Sequence, residues 1–131
     1  MEESGIDFLK RRAQAFLKSA QSDYDRGDYD LVLFHLEQAI QLYLKHLLCI
    51  RIGDYPKTHS IIRLIRDVIK VYDEGRLKEV YRKNLESLYL LEDSYIASRY
   101  FPRQYDREIS ERLPKFVKEF LEVLEWLENR S

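Results

Sequence analysis

The chain has 131 residues, 45% of them apolar and 34% charged. That is enough for one packed core and too apolar for a disordered polymer. Its 22 basic and 23 acidic residues leave a formal net charge of −1, which excludes a global pull toward nucleic acid or anionic lipid and requires any basic site to be local.

Cys49 is the single cysteine and cannot pair within the chain, so a reducing, cytoplasmic setting is expected. Its apolar neighbours mark it as a small buried hydrophobe. The start MEESGIDFLKRR is acidic and has no signal-peptide pattern. No apolar run approaches the roughly 20 residues that a membrane helix needs. One domain over 1–131 is expected.

Apolar residues recur with helical spacing at Leu9, Ala13, Phe16, Leu17, Ala20 and Tyr24. Gly27 stops this first helix and Asp28 is placed to cap the next. The second helix carries Val32, Leu36, Ala39, Ile40, Tyr43, Leu44, Leu47 and Leu48, with Leu33, Phe34 and Leu42 widening the stripe. So broad a face fits either a central helix touching several neighbours or a surface left for a second subunit.

RIGDYPKTHS (51–60) is the first clear loop. Thr58 is the expected N-cap of a third helix with Ile61, Ile62, Ile65, Val68, Ile69 and Tyr72. DEGR (73–76) breaks the chain again. A fourth helix is expected through Leu77, Tyr81, Leu85, Leu88, Tyr95 and Ile96. After RYFPRQYD (99–106), Asp106 is placed to cap a last helix through Ile109, Leu113, Phe116, Val117, Phe120, Leu124 and Leu127. Pro114 either kinks that helix or stands in its first turn. Nothing of useful length alternates with period two. The reading is all-α: an up-and-down antiparallel bundle of about five helices.

The histidines His35, His46 and His59 offer no metal-ligand spacing, and no glycine-rich phosphate loop occurs. Neither a metal nor a cofactor is expected. Three polar groups stand out. His35 and Gln38 share a face of the second helix, with Gln41 and Lys45 on later turns; His35 reads equally as a core-edge hydrogen-bonding residue. Thr58 and His59 open a helix whose free N–H groups favour anions, although a plain cap explains them too. Arg99, Tyr100 and Arg103 combine forks suited to phosphate with a ring suited to stacking; Arg99 could also simply offset a helix C-terminus.

DYDLVLFHLEQAIQLYLKHLL, PKTHSI and SYIASRYFP, in that order, resemble the HEPN family of small helical domains. The matching positions are Phe34, His35, Gln38, Ala39, Leu44, Lys45, Thr58, His59, Tyr95, Ile96, Ser98, Arg99, Tyr100 and Pro102, and the resemblance spans about Phe8 to Leu127. It implies a bundle of about five helices, often a homodimer, with a nucleotide-binding role beside a minimal nucleotidyltransferase protein.

Other members are RNA-cutting toxins that use Arg, four to six residues and then His, the His moving a proton and the Arg meeting phosphate charge. Here no His follows Arg99, and seven residues separate Arg51 from His59. Gln41 stands where many relatives carry Glu. The resulting expectation is a non-catalytic protein binding a nucleotide or another phosphate-bearing ligand through Arg99, Tyr100, His59, His35, Gln38, Lys45 and Arg103. It is expected to form a homodimer, to partner a nucleotidyltransferase, and to bind neither membrane nor bulk nucleic acid. The alternatives are an RNA-cleaving protein with a non-standard site and a purely structural interaction module.

Overall fold

The computed structural model describes residues 5–72, 75–100 and 105–130, without the side chains of residues 5, 6, 98 and 99. Among these residues it is all-helical: α1 (Gly5–Arg26), α2 (Tyr29–Ile52), α3 (Ile61–Tyr72), α4 (Gly75–Lys83), α5 (Leu85–Tyr100) and α6 (Arg107–Arg130). The expected all-α antiparallel bundle is present.

α1 turns into α2 through a tight hairpin. Gly27, at φ 79°, holds the left-handed conformation that closes α1. Its N–H donates to the Tyr24 carbonyl at 3.0 Å, and the Asp28 N–H donates to the Asp23 carbonyl at 2.9 Å, so two orphan carbonyls are satisfied. Asp28 stands at the N-cap position of α2 without a side-chain cap; its carboxylate instead accepts from Arg26 Nε at 3.1 Å.

α2 is the hub. It packs on α1, α3, α5 and α6, and Val32, Leu33, Leu36, Ile40, Leu44, Leu47 and Leu48 are fully buried. Its broad apolar face is therefore spent inside the chain. Ile61, Leu64, Ile65 and Val68 of α3, Leu88 and Leu91 of α5, and Val117, Phe120 and Leu124 of α6 complete the core. No glycine or proline interrupts these faces except Pro114, inside α6.

Three local expectations are corrected. The predicted fourth helix is two, α4 and α5, broken at Asn84. Asn84 Nδ2 donates to the Val80 carbonyl at 2.9 Å, where its own N–H also reaches at 3.1 Å. Side chain and backbone N–H of Asn84 thus share one helix carbonyl at the break. The cap of α3 is Ser60 rather than Thr58: Ser60 Oγ accepts the Arg63 N–H at 3.2 Å, while Thr58 Oγ1 accepts the Ser60 N–H at 3.1 Å just before it. Finally, α6 begins at Arg107, with Asp106 Oδ1 accepting the Ile109 N–H at 2.9 Å. Pro114 therefore lies in the helix interior rather than in its first turn.

Candidate functional site

A buried polar relay runs along one side of α2. Glu37, Gln41 and Lys45 follow each other at four-residue intervals, one above the other on the helix. Gln41 Nε2 donates to Glu37 Oε1 at 2.8 Å, and Lys45 Nζ donates to Gln41 Oε1 at 3.0 Å. Gln38 Nε2 donates to the other Glu37 oxygen at 2.8 Å. Gln41 thus joins a carboxyl to an ammonium, which explains how the chain tolerates an amide there. Glu37 is fully buried and Gln41 nearly so.

Burial pushes the Glu37 carboxyl up to about 7. The amide donors of Gln41 and Gln38 and the Lys45 charge offset this only partly, and the nearby Glu92 adds to it. Burial also pulls the Lys45 ammonium down, with Glu37 opposing. The Lys45 ammonium lies 5.3 Å from the centre of the Tyr55 ring. A carboxyl that changes charge near neutrality beside a desolvated ammonium is a common feature of working sites.

The start of α3 closes over this relay. His59 Nδ1 lies 3.4 Å from Gln41 Oε1, and Gln41 Nε2 lies 3.5 Å from the His59 carbonyl. The α3 N-terminus faces a carboxylate already: Glu92 Oε1 of α5 accepts from the Ser60 hydroxyl and from the Ile62 N–H at 3.2 Å. The positive end of the helix is thereby neutralised from within the chain.

Aromatic rings form a row across three helices and the loop before α3. Phe16 stacks on His35 at 5.6 Å, His35 lies 5.5 Å from Phe34, Phe34 stacks on Tyr95 at 6.1 Å, and Tyr95 stacks on His59 at 4.7 Å. His35 Nδ1 meets the carboxylate of Asp23, which is buried and also takes Arg26 Nη2 at 2.5 Å.

The structure thus brings Gln38, Lys45 and His59 together around Glu37 and Gln41, and links His35 to them only through the ring row. Tyr100 ends α5, 67% exposed. Arg103 and the Arg99 side chain lie outside the described residues.

Sequence reasoning missed Glu37, Glu92 and Asp23. Glu37 had a readable signal: it shares a face with Leu33, Ile40 and Leu44, so a carboxylate stands in an apolar stripe. Asp23 and Glu92 had none, because their partners come from other parts of the chain. Among the described residues no group of three or more His, Cys, Asp or Glu is placed to hold a metal ion, and no helix is long and apolar enough to cross a membrane.

The chain is similar to a solved structure, TT1696 from Thermus thermophilus, with a TM-score of 0.76 and 25% identity over 93% of this chain and 97% of that one. No curated protein matches. The HEPN domain model matches residues 6–127; the helical frame that holds the relay is the one this family builds, and the chain belongs to the HEPN domain family.

Proposed function

We propose that the chain is a non-catalytic HEPN protein that binds a nucleotide or another phosphate-bearing ligand where α2, the start of α3 and α5 meet. The observation that carries this reading is the His59–Tyr95 stack lying against the Gln41–Lys45 end of the relay. The exposed His59 residue offers a flat ring for a base, in the way stacking platforms hold bases. Phosphate is the part of Tyr100, Arg99 and Arg103 in this reading.

Titration calorimetry with ATP, GTP and the other nucleotides tests it. His59→Ala or Tyr95→Ala is expected to weaken binding about tenfold, the scale of one lost stacking contact. If no nucleotide binds at millimolar concentration, alone or with a nucleotidyltransferase added, the relay is structural.

A homodimer belongs to the same reading. Leu85, Tyr89, Ile96 and Tyr100 recur at helical spacing on α5 and are 37%, 40%, 55% and 67% exposed. An apolar stripe of this kind supports pairing with a second copy. Sedimentation of the wild type against Tyr89→Glu/Ile96→Glu measures it; equal mass for both removes the stripe from consideration. Partnership with a minimal nucleotidyltransferase is tested by co-purification, and failure to co-purify counts against it.

The Asp23–His35 pair favours a second reading, RNA cleavage with a non-standard set. An oriented histidine is equipped for proton transfer. RNA left intact at high protein concentration ends that reading.

A further inference from the structure

The segment between α2 and α3, residues 53–60, belongs to no helix, and none of its residues is fully buried. A stretch with so little burial opens at a lower free energy than the core beneath it. Four side chains of α2 and α5 anchor it. Gln41 Nε2 lies 3.5 Å from the His59 carbonyl, and Gln41 Oε1 lies 3.4 Å from His59 Nδ1. Glu92 Oε1 takes the Ser60 hydroxyl and, at 3.2 Å, the Ile62 N–H. The Lys45 ammonium lies 5.3 Å from the centre of the Tyr55 ring. Tyr95 stacks on His59 at 4.7 Å.

Three of these anchors also act on Glu37, the buried carboxyl of the relay. Gln41 donates to it at 2.8 Å. Glu92 disfavours its charge, and Lys45 favours it. The segment is thus tied to the groups that decide whether Glu37 is ionised.

The sign of this coupling follows from burial. With the segment in place, burial outweighs the amide donors and the Lys45 charge, and the neutral carboxyl is favoured. Opening the segment admits water toward Glu37 and frees Glu92 from its bonds to Ser60 and Ile62. Both changes favour the carboxylate, so opening becomes easier as pH rises. Lys45 opposes this only in part, because burial disfavours its own charge. The charged groups on the other sides of α2 are tied elsewhere: Asp23 to Arg26 and His35, and Glu128 to Lys10 and His46. His59, within the segment, is the other titratable group at this contact.

We propose that residues 53–60 form a pH-dependent strap, closed over the Gln41–Lys45 end of the relay while Glu37 is neutral and released when Glu37 ionises. Release parts His59 from Tyr95 and uncovers the relay. The device rests on the contacts of the closed chain and needs no ligand.

Amide hydrogen exchange of the full chain, corrected for the intrinsic rate at each pH, reads the strap directly. The reporters are Ile62, whose N–H is given to Glu92, and Arg63, whose N–H is given to Ser60 Oγ. Leu36 and Leu44 of α2 report the core. Strap protection is expected to lie below that of the core and to fall about tenfold between about pH 5.5 and pH 7.5.

Glu37→Gln cannot ionise, and its strap protection is expected to be equal at the two pH values. His59→Gln removes the other titratable group from an exposed position and is expected to keep the wild-type fall. Protection equal to that of Leu36 and Leu44 would mean that the strap opens only by global unfolding. That result, a protection that does not change with pH, a fall that survives in Glu37→Gln, or one that is lost in His59→Gln would each overturn the proposal.

Discussion

Two carboxylates on opposite sides of α2 meet opposite fates. Glu37, on α2 itself, is fully buried and hydrogen-bonded by two amides. Glu128, near the end of α6, accepts from the Tyr43 hydroxyl at 2.6 Å, lies 3.1 Å from His46 Nε2, and pairs with Lys10 at 3.3 Å. Burial raises both. For Glu37 it wins, and the carboxyl is pushed up to about 7. For Glu128 the bonds from Tyr43, His46 and Lys10 outweigh it, and the carboxyl sits below its ordinary value. Amide donors stabilise a carboxylate less than a phenol, an imidazole and an ammonium together. One carboxylate therefore serves as a permanent tie between helices, while the other is poised to change charge.

The two predict opposite pH slopes. Between 4.5 and about 7 folded Glu37 holds a proton that the unfolded chain has released, so stability falls as pH rises through that window and levels off above it. The difference approaches about 3 kcal/mol. Glu37→Gln is expected to remove it, as urea unfolding at pH 5 and pH 8 would show; an unchanged slope would place the charged form at ease in its site.

Glu128 has the reverse sign. Its stabilisation is present above the ordinary carboxylate value and is lost as pH falls through the lowered one. Glu128→Gln is expected to lose about 2 kcal/mol at pH 7, a deficit that shrinks in acid. Equal deficits at pH 3 and pH 7 would make the contact one of packing alone.

Tyr43→Phe removes one donor and is expected to lose about 1 kcal/mol while moving the Glu128 carboxyl upward, which carbon-13 titration of the carboxyl would follow. Lys10→Met is expected to have the smallest effect, under about 0.5 kcal/mol in thermal unfolding, because a partly exposed ion pair is screened by water. A larger loss would mean that the ammonium, rather than the phenol, holds Glu128 down.

Periodicity marked much of the core, although Ile96, read on the same grounds, is 55% exposed. Val32, Leu36, Ile40, Leu44, Ile61, Ile65, Val117 and Phe120 were readable as apolar faces, and each is buried, because burial of one side of a helix imprints its period on the sequence. Asp106 was readable as a cap for the same reason of locality: its partner is Ile109, three residues away. The break at Asn84 was not, since the apolar period runs across it.

The site divides along the same line. His35, Gln38, Lys45 and His59 could be singled out as polar residues beside apolar faces. That His59 stacks on Tyr95 and that Asp23 holds His35 could not, because each contact joins separate elements of the fold.

The apolar faces of the core and the Asp106 cap were thus written in the chain itself, since each depends on neighbours within about one or two turns. The charge state of Glu37 and the neutralised start of α3 were decided only in three dimensions. A pKa depends on which atoms replace water around a group, and those atoms arrive from distant parts of the chain.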